Sequence, residues 1–284
     1  MKPIKLYYYN IHRRDPSART RECWGNFGDE ISPLLIERLF SCSVEYAPYE
    51  RCELMAVGSI LGRAALYKPH HFLKPSKWLS RDIAVWGSGM LSPYRHFGLC
   101  RLQFHAVRGA LTQALIPSKN CMPGMALGDP GLLADHLLSD AQRRVKKHAV
   151  GLIPHIRDQG LPQLKALTDR RNDCCVINVL RHPCDVIEAI SQCEFIYSSS
   201  LHGLIVADSL GVPNAWFRGC DEIAGRSFKF SDYYSVFGIN SVTPVDLSSE
   251  LLEKSTLAEL TARYERKGLA KIKADLIESF PYDG

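Results

Sequence analysis

The segment Cys193 to Trp216, CEFIYSSSLHGLIVADSLGVPNAW, constrains this chain more than any other. Its apolar run Phe195 to Tyr197 is closed by Ser198, Ser199 and Ser200, residue types that cap helix N-termini, directly before Leu201 and His202. A helix starting there carries Leu204, Ile205 and Ala207 on an apolar face and ends at Gly211, after which Val212 and Pro213 open another strand. Strand, helix and strand in so short a stretch make a βαβ crossover, which requires a parallel sheet. Such sheets hold ligands at the carboxyl ends of their strands, where helix N-termini aim unpaired N–H groups at anions. His202 stands in that mouth. A helical histidine is often no more than a satisfied core residue, but three hydroxyls beside a titratable ring at a first helical turn favour an anion-directed site.

The remaining chain repeats the pattern. Ile4 to Tyr9 reads as the first strand, followed by an arginine-rich loop from Asn10 to Trp24. The turn Gly25-Asn-Phe-Gly-Asp-Glu leads into a helix from about Ile31 to Phe40, with Asp29 either capping it or facing the cleft as a proton acceptor. Leu54 to Leu61 and Ile83 to Met90 are strands that carry Gly-Ser at the same edge, and Phe104 to Val107 is a strand ending at Arg108. An arginine there can clamp a carboxylate or phosphate with two parallel hydrogen bonds. Between two of these strands, Arg63 to Arg81 mixes Lys, Arg, His, Trp and Tyr, the composition of a surface loop or of a peripheral contact with a membrane surface or glycan. Gly128-Asp-Pro closes another strand and opens a helix at Pro130.

The basic stretch Arg143 to His148 breaks the composition, and a new alternation of strands and helices begins at Ala149. Its strand ends bring His155, Arg157, Arg181 and His182 to the carboxyl edge. The segment Ala224 to Tyr234 returns to the cleft with Lys229, and helices within Ser248 to Phe280 close the junction. The expected fold is α/β, with two Rossmann-like domains, residues 1–145 and 146–284, facing across a cleft in a GT-B-like arrangement.

Composition limits the function. A length of 284 residues with 46% hydrophobic content supports two cores, and a net charge of +5 spread along the chain suits small anionic ligands better than nucleic acid. No stretch has the apolar length of a membrane span and the N-terminus lacks a signal-peptide core, so a cytoplasmic protein is expected. The ten cysteines lack metal-ligand spacing and read as reduced thiols, and no His/Asp/Glu cluster suggests a metal.

The block SSSLHGLIVADSLGVPNAW resembles the Ser-x-x-Leu/Met-His-Gly signature of the polysaccharide pyruvyltransferase family. Asn26-Phe-Gly-Asp-Glu, Trp86-Gly-Ser-Gly, Val107-Arg-Gly-Ala-Leu-Thr, Gly128-Asp-Pro-Gly-Leu-Leu, Gly151-Leu-Ile-Pro-His and Lys229-Phe-Ser-Asp-Tyr-Tyr follow in the family's order, so the likeness covers roughly residues 4 to 240. That resemblance implies transfer of the enolpyruvyl group of phosphoenolpyruvate onto two hydroxyls of a hexose in a surface polysaccharide precursor, giving a cyclic pyruvate ketal and phosphate. It implies no cofactor beyond the donor substrate. The acceptor is expected to be a lipid-linked oligosaccharide, placing the enzyme in the cytoplasm or at the inner face of the membrane.

By the same resemblance His202 is the acid, Asp29 the base, and Arg108, Ser199, Ser200, Leu201 and Gly203 hold the donor. Asn26, Gly28 and His155 line the cleft. Ser200 stands where several members have arginine, so a replacement cation is expected from Arg181, Arg157 or Lys229. Two rivals remain: a GT-B glycosyltransferase using a nucleotide sugar, for which Asp208 is the available ribose carboxylate, and a non-catalytic partner in polysaccharide assembly with a decayed site.

Overall fold

The computed structural model describes residues 2–10, 20, 23–62, 82–93, 101–139, 145–220 and 226–282. Most of the arginine-rich loop after Asn10, the segment Arg63 to Arg81, Arg143, Arg144, Ala224 and Gly225 lie outside the described residues. Strands β1 (Ile4–Tyr7), β2 (Val44–Tyr46), β3 (Leu54–Met55), β4 (Asp82–Ser88), β5 (Arg101–Val107) and β6 (Cys121–Leu127) form a six-stranded sheet in the order β2-β1-β3-β4-β5-β6. Strands β7 (His148–Ile153), β8 (Cys174–Val176), β9 (Cys193–Ser198) and β10 (Asn214–Trp216) form a second, in the order β10-β9-β7-β8. Every strand pairing in both sheets is parallel, as a Rossmann-like α/β fold requires.

The helices are α1 (Phe27–Phe40), α2 (Ala110–Gln113), α3 (Pro162–Arg170), α4 (Pro183–Ser191), α5 (Leu201–Ser209), α6 (Arg226–Tyr234), α7 (Lys254–Ala262) and α8 (Leu269–Glu278), with a 3-10 helix at Pro130–Leu137. Two boundaries differ most from the sequence reading. Helix α1 starts at Phe27, four residues before Ile31, because Asn26 takes an extended N-cap conformation and Asp29 and Glu30 fill the first turn with acid that suits the helix dipole. Strand β3 has two residues instead of the eight read from Leu54 to Leu61, and the buried chain after it bends through Gly58 at a φ of 115°.

A single apolar cluster runs through both sheets. Leu6, Phe27, Ile31, Leu35 and Trp86 of the first half pack with Ile153, Val186, Ile196, Leu204 and Ile205 of the second. The reason is α5. All of its residues are buried, so in place of the single apolar face read from the sequence it is enclosed on every side, by β9, β10, α4 and the 3-10 helix of the first half. Helix α8 extends the same seam: Trp86 Nε1 donates to the Leu276 carbonyl at 2.8 Å, and Lys273 Nζ reaches the Ser209 carbonyl at 2.9 Å and the Asp135 carboxylate at 3.0 Å. Helix α8 therefore packs across the junction as its position in the sequence suggested, whereas α7 lies against β10 of the second sheet. The nine cysteines among the described residues are free, and no helix there is long and apolar enough to cross a membrane.

Full enclosure leaves Asp208, near the end of α5, to be satisfied by protein. It accepts hydrogen bonds from Asn214 Nδ2, the Tyr233 hydroxyl, the Tyr264 hydroxyl at 2.9 Å and Arg266 Nε at 2.8 Å. With Arg266 itself 8% exposed, this is a buried ion pair inside a hydrogen-bonded shell. Removing one partner strands the other charge. Asp208→Ala is therefore expected to lower stability by about 3 kcal/mol or more, read as a drop in the chemical-denaturation midpoint.

Candidate active site

In each sheet the strand order reverses once, between β1 and β3 in the first and between β7 and β9 in the second. Open α/β sheets keep their ligands at such crevices. The first crevice holds the start of α1, with Asp29, and the turn after β3, where a Cβ added at Gly58 would stand 3.3 Å from Asp29 Oδ1. The second holds His155 and the start of α5, with His202. The fold brings the two together: backbone N–H groups of Trp24, Gly25 and Phe27 donate to the carbonyls of Leu180 and Val179, stitching the entry of α1 onto the loop after β8.

The contact is closest at Gly28 and His202. A Cβ on Gly28 would stand 2.1 Å from His202 Nδ1, a distance no side chain can occupy, so the imidazole lies directly on the glycine backbone. Gly89 does the same for Arg108, whose Cζ would be 2.3 Å from an added Cβ. These glycines of the Asn26-Phe-Gly-Asp-Glu and Trp86-Gly-Ser-Gly motifs make room for polar side chains of the site.

His202 is almost enclosed, and its Nε2 is buried without a hydrogen-bond partner among the described residues, 3.9 Å from Asp129 Oδ2. Burial, then the positive charges of Lys229, Arg108 and His155, push its pKa down to about 3, so the ring is neutral in the empty site. Asp29 is the third residue of α1, beyond the N-cap position; Asn26 Nδ2 donates to its Oδ2 at 2.7 Å. Burial pushes its pKa up to about 7; the bond from Asn26 opposes this, Glu30 and Asp129 add to it, and Lys229 counters them. A carboxyl that titrates near neutrality in a crevice has the properties of a general base.

Arg108 is placed differently from the strand-end clamp expected of it. It is fully buried, with Nε donating to Asp232 Oδ2 at 2.9 Å, one Nη to Ser59 Oγ at 2.6 Å, and the other to the Met90 carbonyl at 2.6 Å. Asp232 also receives the backbone N–H and hydroxyl of Thr112, both at 2.7 Å. A guanidinium has five N–H groups, and with the fork turned to Asp232 only one remains without a partner among the described residues. A two-pronged clamp on a ligand is thus not available, although the charge of Arg108 still acts on Asp129 and His202.

The other residues singled out from the sequence divide. Lys229 on α6 is buried 8% exposed and its charge reaches both Asp29 and His202. Ser199 Oγ donates to Asp158 and accepts from the His155 N–H at 2.9 Å, holding the loop after β7. Ser200 caps α5 without a side-chain bond, Leu201 is buried, and Gly203 lets the Ser198 hydroxyl approach. Arg157 and Arg181 are exposed; Arg181 lies 3.4 Å from Asp185, and His182 caps α4 by accepting from the Cys184 N–H. Of the three cations proposed to replace the arginine at Ser200, the fold puts Lys229 beside His202. Sequence reading passed over Asp129, Asp158 and Asp232. No group of three or more His, Cys, Asp or Glu able to hold a metal ion occurs among the described residues.

A family model described as polysaccharide pyruvyl transferase matches residues 26–221. Among curated proteins, an uncharacterized protein of Acanthamoeba polyphaga mimivirus is 29% identical over 221 residues, which cover 75% of this chain and 71% of that protein. The succinoglycan biosynthesis protein ExoV of Rhizobium meliloti is 29% identical over 225 residues, 76% of this chain and 62% of its own length. This chain thus aligns with less than two thirds of the succinoglycan protein. No solved structure matches it significantly.

Two stability experiments follow from the geometry. Arg108→Met leaves Asp232 buried without its charge partner, and a loss of about 3–5 kcal/mol is expected in equilibrium unfolding. Asp29 holds its proton more tightly in the folded state than an unfolded aspartate with a pKa near 4. Its contribution to stability is therefore full below about pH 4 and is lost as pH rises through about 7. Asp29→Asn should then leave stability near pH 4 unchanged and raise it at pH 8 by roughly 1 kcal/mol, allowing for partial exposure of the group.

Proposed function

This chain belongs to the polysaccharide pyruvyl transferase family, an enzyme family, and we propose that it transfers the enolpyruvyl group of phosphoenolpyruvate onto two hydroxyls of one hexose in a polysaccharide precursor. The observation that carries the reading is the meeting of a neutral buried imidazole, a near-neutral carboxyl and an almost buried lysine where the two sheet crevices join. Phosphoenolpyruvate offers a carboxylate and a phosphate on three carbons, a compact polyanion that matches the start of α5 and the charges of Lys229, Arg108 and His155.

The chemistry assigns roles. Bound polyanion offsets the three positive charges around His202, so the ring takes up a proton only once the donor is present. His202 protonates the methylene carbon, and C2 becomes an oxocarbenium-like centre. A sugar hydroxyl adds to C2 and gives its proton to Asp29. A second hydroxyl of the same sugar then forms the other C–O bond while the bond from C2 to the phosphate oxygen breaks. The second proton leaves with inorganic phosphate, and the product is a cyclic pyruvate ketal. Lys229 faces the departing phosphate, Arg108 supports it with charge and one remaining N–H, and Ser199, Ser200, Leu201 and Gly203 shape the helix mouth around it. His155, Asn26 and Gly28 complete the wall. Arg157 and Arg181 stand further out, as cations that collect the anionic donor.

In this reading residues 1–145 form the acceptor side and residues 146–284 the donor side of a GT-B-like pair, and the protein works in the cytoplasm on a lipid-linked acceptor at the inner membrane face. The nucleotide-sugar alternative is weakened by Asp208, the carboxylate it would use for ribose, which is fully buried under Asn214, Tyr233, Tyr264 and Arg266.

Incubation with phosphoenolpyruvate and a panel of lipid-linked galactosides, glucosides and mannosides, followed by mass detection, should give a product heavier by one pyruvate ketal together with free phosphate. His202→Ala should abolish both. In the active range kcat/KM should fall as pH rises through about 7, as the free enzyme loses from Asp29 the proton that donor binding passes to the ring. Phosphate release without any pyruvylated sugar, or transfer from a nucleotide sugar, would overturn the assignment.

A further inference from the structure

We propose that Asp129 is the positioning residue of His202: its Oδ2 receives the imidazole Nε2–H, which fixes the tautomer and leaves Nδ1, the nitrogen over Gly28, to exchange a proton with the bound anion. The proposal rests on the reading that the pocket takes phosphoenolpyruvate. Two facing atoms carry it. Asp129 Oδ2 and His202 Nε2 are both buried, neither has a hydrogen-bond partner among the described residues, and they lie 3.9 Å apart, about 1 Å beyond a charge-assisted hydrogen bond. An unpaired buried polar atom costs about 1–3 kcal/mol, so two that face each other across such a gap form a contact that a small movement of the ring would close.

The carboxylate is held for this role. Its Oδ1 accepts the Gly131 N–H at 2.9 Å as the N-cap of the 3-10 helix Pro130–Leu137, which points Oδ2 away from that helix and toward α5. Pro130 is itself seated against Gly87, where an added Cβ would fall 2.1 Å from its Cδ. On the other side His202 is backed by Gly28, which keeps side-chain bulk off its Nδ1 edge. The groups that face the pair are Lys229 of α6, Arg108 after β5 and His155 after β7 around the ring, and Arg108, Asp232 and the Asp29 carboxyl of α1 around the carboxyl. Without a bound anion, burial first and then these cations keep the ring neutral. A bound dianion answers those cations, and Asp129 then stabilises the imidazolium from behind, as a buried carboxylate does for a histidine base.

Asp129→Asn isolates this role, because asparagine keeps the oxygen that caps the 3-10 helix and removes the charge. Nitrogen-15 NMR of labelled histidine, with the His202 signal identified by its loss in His202→Gln, reports which ring nitrogen is protonated and at what pH. With phosphoenolpyruvate bound, the wild-type ring should carry its proton on Nε2 when neutral, and the Asn variant should titrate about one pH unit lower. In transfer assays kcat should fall tenfold or more while KM for phosphoenolpyruvate stays within about twofold, since Asp129 acts through the ring and not on the donor. Asp129→Ser, which also caps, should reproduce both effects if the Asn variant is poorly folded. An unchanged tautomer and titration would overturn the proposal. If no acceptor is pyruvylated by wild type yet the NMR difference persists, the pair stands and the reading of the reaction falls.

Discussion

A helix with no exposed face can exist only if something covers all of it. Helix α5 meets that requirement by lying on β9 and β10, beside α4, and under the 3-10 helix of the first sheet's half, so the two halves must close on it before either is complete. Closure fixes where its two ends go. At the carboxyl end Asp208 is captured by Tyr233, Tyr264, Arg266 and Asn214, all later in the chain. At the amino end His202 is pressed onto Gly28 at the entry of α1. The position of the site is thus a consequence of core packing: the helix mouth cannot move from the other crevice without exposing apolar surface along its whole length.

Closing the halves also buries charges that a looser arrangement would leave wet. Arg108 and Asp232 come from opposite sides of the junction and make an ion pair with no exposure. Such a pair contributes little net stability over an apolar one, but it tolerates few alternative placements, because either partner alone in the interior is costly. Around it stand glycines at which no side chain fits: Gly89 under Arg108 and Gly109 against the Asp232 backbone carbonyl. The Val107-Arg-Gly and Trp86-Gly-Ser-Gly motifs therefore describe one buried joint, seen from two strands.

Apart from β2, which has no such signal, and β3, which is shorter than its apolar run, the strands and the βαβ unit were legible because apolar runs closed by Gly, Ser or Pro are local signals, and the start of α5 at Leu201 agrees with the serine cap read in the sequence. Helix α1 was misplaced by four residues since Gly28 looks like turn chemistry, and only its contact with a histidine 174 positions later, between residues 28 and 202, explains a glycine inside a first helical turn. The partner of Arg108 lies 124 residues away, beyond anything that spacing encodes. For that reason the arginine was legible as a strand-end cation and its fork on Asp232 was not. Asp129 was hidden differently: Gly-Asp-Pro reads as helix-start punctuation, which it is, and one carboxylate oxygen suffices for that task. The second oxygen is visible only in three dimensions.

The electrostatic balance of the pocket turns on the same asymmetry between local and distant partners. Lys229, Arg108 and His155 set a positive field in which a buried imidazole stays neutral, while Asp29 and Asp129 sit where burial favours their protonated forms, with Asp29 near 7 and Asp129 near 6. For the proposed reaction, in which the ring gives a proton and a carboxylate takes another, His202 and Asp29 are each in the wrong state. A dianionic ligand acts on the ring directly and on the carboxyl only through proton transfer to the ring, since a like charge alone favours the protonated carboxyl. Its charge, set against the cations, raises the affinity of the ring for a proton, and a carboxyl that already titrates near neutrality is the nearest source of one. The proton missing from His202 in the empty pocket can thus come from within the pocket, and the carboxyl that gives it up becomes the base. In the reaction proposed above, a site built this way is idle without its donor, which would protect a reactive enol phosphate from protonation until it is enclosed.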